Sequence, residues 1–357
     1  MREILIQQLK AHPCANVQDV IKMCYQATFG AEHLLSDREK AFSYFMQEWR
    51  MTPEQDKPIT EKISEEYVRI HLGPWKKAGL PPEWLFQMFF LTASIPCQST
   101  AEDLNKRFEQ VGILADADLL PFSKEEWARA CCAYWKLGGG AVHHSEQYRI
   151  MEKPAYRLVH RRYTVLVPVL EKIAHIKTDG KQTVTIAIDG RAASGKTTLA
   201  EKLAEILQTD IIHMDDFFLP IELRTEERLA QPGGNVHYER FATEVIPHLE
   251  DNAPFDYTVF SCQKMQLDGV RRIKGSAWRV IEGSYSHHPQ FGHYMDVGIF
   301  CTVSPEEQMR RILIRNGERM AKMFETRWIP MEEQYFKAYR TSDCADLVID
   351  TEKGDSK

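Results

Sequence analysis

The feature that most constrains this 357-residue chain is the segment 190–198, which reads GRAASGKTT. It has the spacing Gly-x-x-x-x-Gly-Lys-Thr, with a second threonine behind it. The two glycines allow a tight turn in which successive backbone N–H groups point into one anion-sized cradle. The lysine supplies a point charge for the β- and γ-phosphates of a nucleotide, and the first threonine supplies a hydroxyl oxygen for Mg²⁺. The pattern predicts a phosphate-binding loop whose binding residues are Gly190, Ala193, Ser194, Gly195, Lys196, Thr197 and Thr198.

The residues on both sides of this loop fit the prediction. Residues 184–188 (VTIAI) are a β-branched apolar run, which is typical of a buried parallel strand. After the loop, Leu199, Leu203, Ile206 and Leu207 fall on one face of a helix. The order strand, glycine loop, helix brings the partial positive charge of a helix N-terminus to the phosphate site.

Composition excludes several classes of protein. Apolar residues make up 43% of the chain and charged residues 27%, as in ordinary globular domains. The net charge of −6 argues against a protein that coats nucleic acid. We expect no signal peptide, and no apolar run is long enough to span a membrane. The eight cysteines include no C-x-x-C pair, so we expect reduced thiols and a cytoplasmic protein.

The pattern of apolar residues changes at residues 176–182 (IKTDGKQ), a polar stretch that we interpret as a linker. Over 1–175, apolar and aromatic residues recur at spacings of three to four, which predicts a mostly α-helical domain. Over 183–357, short apolar strands alternate with helical patterns, which predicts an α/β P-loop NTPase with a parallel sheet flanked by helices. The predicted strands are Thr183–Asp189, Asp210–Asp215, Trp278–Glu282, Val297–Val303 and Ala345–Ile349.

Carboxylates end two of these strands. Ligands of parallel sheets bind at the carboxyl ends of the strands, where Asp215, Asp216 and Glu282 stand. Phosphoryl transfer needs one carboxylate to deprotonate the attacking hydroxyl and another to hold Mg²⁺. We assign the first role to Asp215 and the second to Glu282, which shares Mg²⁺ with Thr197; Asp216 is a second candidate for either role. Helix capping is the competing interpretation of these acids.

A further helix has a clear start and end. Ser304 is a suitable N-cap, Pro305 suits the first helical position, and Glu307 lies three residues past the cap. Gly317 is expected to end this helix near Arg315.

The same helix carries several arginines. Charge on the peripheral oxygens of a phosphoryl-transfer transition state can be neutralised by an arginine-bearing flap. We expect Arg315 to act in catalysis and Arg311 and Arg319 to help bind the nucleotide. The competing interpretation is a solvated face on which Arg310 and Arg311 pair with glutamates one turn earlier.

The C-terminal half resembles the uridine kinase and phosphoribulokinase type of P-loop kinase. The resemblance covers roughly residues 182–350 and rests on IAIDGRAASGKTT, MDDFF, GGNVHYERF, VIEGSY, RRILIRNGER and ADLVID. It implies ATP- and Mg²⁺-dependent transfer of the γ-phosphoryl group to a hydroxyl of a small-molecule acceptor. It also implies that Asp215 is the catalytic base and that Glu282 matches the glutamate of the Glu-Gly segment in uridine kinases.

The resemblance also predicts where the acceptor binds. Uridine kinases usually have an aspartate near His237, and they often have tyrosine at Phe218 and a small polar residue at Asp216. A changed hydrogen-bond set can reject a substrate by orders of magnitude, so uridine is only one candidate. The segment 285–289 is expected to border the same pocket. The expected acceptor-binding residues are Asp216, Phe218, His237, Tyr238 and Tyr285.

A second function stays open for the P-loop half. It would act as a switch that hydrolyses nucleotide and regulates the helical half. The acid at the second strand end and the arginine-rich segment favour a kinase, and the absence of an Asn-Lys-x-Asp run disfavours a GTPase. A small-molecule acceptor is the expected partner, with neither nucleic acid nor membrane; self-association into a homo-oligomer stays open.

The helical half contains no motif that we can interpret. His33, His143 and Glu146, with His144, would form a metal or anion site if the fold brought them together. Single histidines are more often hydrogen-bonded core or surface groups. The role of this domain stays open.

Overall fold

The computed structural model describes residues 2–31, 37–177 and 180–354. The chain divides into two compact units, Met1–Val167 and Pro168–Lys357. The division lies N-terminal to the linker predicted at 176–182, of which residues 178 and 179 lie outside the described residues. Across the described ranges, no helix combines the length and the apolar character needed to cross a bilayer.

The first unit contains helices and a small sheet that the sequence did not predict. Its elements are α1 (Arg2–Ala11), α2 (Val17–Phe29), α3 (Arg38–Met51), β1 (Thr60–Lys62), β2 (Tyr67–His71), α4 (Leu72–Lys77), α5 (Pro82–Ala93), α6 (Ala101–Asp116), α7 (Lys124–Lys136), α8 (Glu146–Glu152) and β3 (Tyr156–His160). The three strands form an antiparallel sheet in the order β1-β2-β3. The unit is therefore mostly α-helical, as expected, and the small sheet is an addition to that expectation. Ile70 of β2 pairs with Arg157 of β3, and a pairing across so much intervening chain leaves no local signal in the sequence.

The second unit is built on a parallel sheet. Its elements are α9 (Val167–Ala174), β4 (Val184–Gly190), α10 (Lys196–Leu207), β5 (Ile211–His213), α11 (Glu226–Leu229), α12 (Tyr238–Glu244), β6 (Phe255–Ser261), β7 (Gln266–Ile273), β8 (Trp278–Glu282), β9 (Val297–Thr302), α13 (Pro305–Met323), α14 (Ile329–Tyr339), α15 (Thr341–Cys344), β10 (Leu347–Asp350) and α16 (Thr351–Gly354).

The five predicted strands of this unit are confirmed. They form one sheet in the order β10-β9-β4-β8-β5, and every pairing in it is parallel. β4 lies in the centre and is buried along its whole length, as its continuous apolar run indicates. A glycine loop joins β4 to α10, so this unit has the architecture of an α/β P-loop NTPase.

The hairpin of β6 and β7 was not predicted. Its strands are antiparallel and form a separate two-stranded sheet. Most of β7 is exposed, and its sequence QLDGVRRI lacks the apolar run that identified the other strands.

The helix predicted to begin at Pro305 is confirmed. The Ser304 side chain accepts a hydrogen bond from the backbone N–H of Glu307 at 3.3 Å. Gly317, with φ 75° and ψ 170°, interrupts the helical geometry of α13. Residues Phe324–Trp328 then form a π-helix that leads into α14. Helix α13 is therefore broken at Gly317, and a π-helix separates its last residues from α14.

Gly190 provides a test of the sheet geometry. Its φ is 139°, and a Cβ atom added there would overlap the carbonyl oxygen of Cys301, its partner on β9. We expect Gly190→Ala to lower the free energy of unfolding of the second unit by about 3–5 kcal/mol, because backbone cannot move aside as a flexible side chain can. Gly269→Ala in the hairpin is the matched control, since Gly269 also has a positive φ but has nothing within 4 Å of the added atom. The control should lose about 1 kcal/mol. Equal losses in denaturant titrations would contradict this account.

Candidate active site

The loop 190–195 has the backbone geometry of a phosphate cradle. Gly190 and Gly195 have φ values of 139° and 86°, and Ala193 has φ 56°. Gly195 is the N-cap of α10, so the loop opens directly into the helix N-terminus. Ser194 is fully buried, and Thr198 lies exposed in the first turn of α10. The predicted strand, loop and helix are confirmed in their order.

Lys196 lies against the loop to which it belongs. Its Nζ donates to the carbonyl oxygens of Gly190 and Arg191, both at 2.8 Å. The residue is 8% exposed, so its ammonium group is held near the cradle. A phosphate bound to the loop amides would lie within reach of this charge.

Thr197 and Glu282 meet at the predicted metal position. The Thr197 hydroxyl donates to Glu282 Oε2 at 3.1 Å, and the Glu282 side chain is 7% exposed. A hydroxyl and a carboxylate oxygen side by side are the hard ligands that Mg²⁺ prefers, so these two residues fit that ion.

His213 joins this pair, and the sequence analysis missed it. Its Nδ1 lies 2.6 Å from Glu282 Oε1, and the two residues are register partners on β5 and β8. The rule that placed Asp215 at a strand end would also have identified His213, because it is the last residue of β5.

Asp215 follows β5 in a 3₁₀ turn, Met214–Phe217. The residue is exposed to solvent, although neighbouring protein atoms partly enclose it. This partial burial, and then the negative charge of Glu282, raise the pKa of Asp215, while Lys196 and His213 oppose the shift. Asp215 is therefore an open carboxylate whose affinity for a proton is increased.

Asp216 has a different environment from its neighbour. It is 6% exposed, and its Oδ2 accepts a hydrogen bond from the Tyr257 hydroxyl at 2.8 Å and lies 3.3 Å from Arg271 Nε. Burial, and then the charge of Asp216, raise the pKa of Tyr257. Asp216 thus holds the β6–β7 hairpin onto the turn after β5.

The other residues assigned to the acceptor pocket occupy several environments. Phe218 forms an isolated bridge with Val236. His237 caps α12 by accepting from the backbone N–H of Arg240 at 3.3 Å. The Tyr238 ring lies under the guanidinium of Arg228, at 3.6 Å, and beside His288.

Tyr285 lies in the core. Its ring is 2% exposed, its φ is 76°, and its backbone N–H donates to Asp189 Oδ1 at 3.1 Å. Left-handed backbone is unusual for an aromatic residue and is held here by its surroundings.

Asp189, which the sequence analysis did not select, organises the residues behind the loop. Its fully buried carboxylate accepts hydrogen bonds from the backbone N–H groups of Gly190, Tyr285 and His287 and from the Tyr335 hydroxyl, at 2.7 to 3.1 Å. Four donors compensate the cost of burying this group.

The three arginines selected on α13 separate into two groups. Arg311 lies beside the loop, where its Nη1 donates to Thr351 at 3.0 Å and contacts the Ala193 carbonyl oxygen at 3.4 Å. Arg315 is exposed and donates to Asn316, and Arg319 is also exposed. The structure brings Arg311 to the loop and leaves the other two on the exposed surface of α13.

The histidines of the first unit do not form the proposed metal site among the described residues. His33 lies outside those residues, and in the part that is described no three His, Cys, Asp or Glu side chains come together as metal ligands. His144 lies 2.8 Å from both Asp19 and the Tyr156 hydroxyl, and burial lowers its pKa. It belongs to a buried hydrogen-bond network. Glu146 begins α8, and the carbonyl of His143 accepts from Gln18.

The chain is similar to the solved structures of several known proteins. No protein family profile and no curated protein matches the chain. A possible uridine kinase from Bacillus stearothermophilus is similar at 20% identity and a TM-score of 0.40, over 53% of this chain and 97% of that chain. Shikimate kinase from Bacteroides thetaiotaomicron matches at 16% identity and a TM-score of 0.27, over 49% of this chain and 89% of that chain.

D-glycerate 3-kinase from Cryptococcus neoformans var. grubii matches at 13% identity and a TM-score of 0.31, over 43% of this chain and 78% of that chain. These three proteins, two kinases and a possible kinase, each match about half of the chain.

The raised pKa of Asp215 predicts how stability depends on pH. The folded unit binds this proton more tightly than the unfolded chain, so this contribution to stability falls as pH rises between the two pKa values. We expect Asp215→Asn to be more stable than the wild type at about pH 7. This difference in stability should vanish at about pH 4, the ordinary range for the pKa of aspartate. Thermal unfolding over this range measures the effect.

The control for this experiment is Asp268→Asn, which removes an exposed carboxylate from the hairpin. It should give no comparable gain. If the Asp215→Asn protein were less stable than the wild type at neutral pH, the raised pKa of Asp215 would be contradicted.

Proposed function

We propose that the second unit is an ATP-dependent kinase that transfers a γ-phosphoryl group to a hydroxyl of a small molecule, in the manner of uridine kinases. The observation that carries this proposal is Asp215. It is an exposed residue in the turn that follows β5, at the same sheet edge where β4 leads into the loop, and the charges of Lys196 and Glu282 act on it. A switch that only hydrolyses nucleotide needs a residue that positions water, but no base for an acceptor hydroxyl.

Each residue of this cluster has a role in the proposed reaction. The loop amides and Lys196 bind the phosphates of ATP. Thr197 and Glu282 hold Mg²⁺, which when bound neutralises charge on the phosphate oxygens. His213 fixes the orientation of the Glu282 carboxylate through the bond at 2.6 Å. Because its proton affinity is increased, Asp215 is suited to accept the proton of the acceptor hydroxyl as that oxygen attacks.

The proposed acceptor is a nucleoside or a similar metabolite that binds beside Asp215. Asp216, Tyr257 and Arg271 fix the hairpin to the turn that carries Asp215. The proposed acceptor pocket also includes Phe218, His237 and Tyr238, which follow Asp216 along the chain. In the proposed reaction Arg311 stays with the loop, and Arg315 and Arg319 approach the γ-phosphate when the segment after Gly317 moves inward.

Acceptor-dependent turnover tests the proposed function. The purified chain is given ATP and Mg²⁺, with and without nucleosides, sugars and vitamins, and ADP release is measured. We expect release to rise at least about tenfold with one class of acceptor. Equal release with and without every acceptor would favour the hydrolytic switch and contradict the kinase.

Lys196→Ala should abolish this turnover, with a loss of about 10³-fold or more, because it removes the charge that meets the phosphates. The fold should persist, since the Lys196 ammonium donates only to carbonyls of its own loop. Circular dichroism and ADP release together measure the two outcomes. A Lys196→Ala protein with full turnover would remove the loop from the mechanism.

Asp215→Asn should lower kcat by about 10²- to 10⁴-fold and leave the Kd for ATP nearly unchanged, because the base acts on the acceptor and not on the nucleotide. Asp256→Asn, which removes a hairpin carboxylate paired with Arg272, is the matched control and should keep full activity. If binding of ATP and turnover fell together in Asp215→Asn, the residue would be a metal ligand instead of the base.

A further inference from the structure

The outer side of the phosphate-binding loop is held by side chains from α13, α14 and the start of α16. The backbone N–H of Ala192 donates to Glu332 Oε2 at 2.9 Å, and the carbonyl of Ala192 accepts from Gln308 Nε2 at 3.0 Å. The carbonyl of Ser194 accepts from the Thr351 hydroxyl at 2.7 Å. The loop backbone is therefore held at Ala192 and Ser194 by side chains from three helices.

Ala193, whose backbone is strained, directly follows Ala192, which is held at both its N–H and its C=O group. Ala193 has φ 56°, in the left-handed region that costs a residue with a Cβ atom and suits glycine. Its methyl group packs against a small apolar cluster that includes Ile312 and Ala321. This packing gives a reason for alanine at the position, but the backbone must still be kept in place.

A buried glutamate such as Glu332 is an unusual residue for holding a loop backbone in place. It is 7% exposed, and its second oxygen accepts a hydrogen bond from the Ser284 hydroxyl at 2.7 Å. Burial raises the pKa of Glu332, and the nearby charge of Lys196 opposes the shift. A buried carboxylate is costly unless it is hydrogen-bonded, and one of its bonds here goes to the loop backbone. Next to it, Glu333 pairs with Arg191 of the loop at 2.8 Å.

We propose that Glu332 and Gln308 are positioning residues that hold Ala192 at both backbone groups, so that Ala193 keeps the left-handed conformation required to bind a triphosphate. Gln308 lies on α13 before its break at Gly317, and Glu332 lies on α14. This inference rests on the proposed function only in requiring that the loop binds nucleotide.

The first experiment compares Glu332→Ala with Glu332→Gln. The probe is a non-hydrolysable ATP analogue with Mg²⁺, and calorimetry gives its Kd in the absence of any acceptor. Glutamine can keep an oxygen on the Ala192 amide and a contact with Ser284, so Glu332→Gln should bind within about threefold of the wild type. Glu332→Ala should bind about tenfold or more weakly. Equal losses in both variants would assign the effect to charge and overturn the proposal.

The second experiment is a double-mutant cycle with Ala193→Gly. Glycine adopts the positive φ without strain, so the loop should no longer depend on Glu332. We expect Glu332→Ala to weaken binding by less than about threefold in the Ala193→Gly background. The same tenfold loss in both backgrounds would show that Glu332 does not act through the conformation of Ala193.

A purely structural role would lower the melting temperature and affect both backgrounds alike, so thermal unfolding is recorded for each variant. Should Glu332→Ala fail to fold, Gln308→Ala replaces it in the same cycle, with the same expected pattern and the same contradicting result. The outcomes also separate this inference from the proposed function. A wild type that binds no analogue would contradict the kinase, whereas tight binding by wild type and Glu332→Ala alike would contradict only the role of Glu332.

Discussion

The register of three adjacent parallel strands determines where the candidate site lies. Glu282 of β8 pairs with Ile188 of β4 on one side and with His213 of β5 on the other. The three strands therefore end at one edge, where β4 leads into the loop and β5 leads into Asp215. A shift of β8 by one residue would turn Glu282 to the opposite face of the sheet and away from Thr197. Buried apolar side chains on both faces of the central strands resist such a shift.

Beneath this edge, buried carboxylates hold the polypeptide segments together. Asp189 joins the start of the loop to Tyr285 and to Tyr335 of α14, and Glu332 of the same helix reaches Ala192. Helix α14 is thus tied to the loop at two places, and it directly follows the segment that begins at Gly317. The inward movement proposed for that segment would therefore act on a helix that also holds the loop.

The sequence alone predicts those parts of the second unit that leave a local pattern of residues. Each of the five parallel strands is a short apolar run, and the loop has a diagnostic spacing of glycines and lysine. The β6–β7 hairpin was missed because β7 is mostly exposed. In the sheet of the first unit, β1 has only three residues, and β3 comes from a part of the chain that is distant from β2. Likewise Asp189 and Glu332 could not be found, since Tyr285 and His287 lie about a hundred residues from Asp189, Ala192 lies 140 residues from Glu332, and no local pattern records such contacts.

The most direct test of the account is a crystal structure of the protein with Mg²⁺ and a non-hydrolysable ATP analogue. The account predicts that the β- and γ-phosphates lie against the backbone N–H groups of residues 194–198, that the Lys196 ammonium has moved from the loop carbonyls to these phosphates, and that Asp215 faces the γ-phosphate across an open cleft. A structure in which the nucleotide lies elsewhere, with the loop closed over itself and Asp215 turned away from it, would contradict the account.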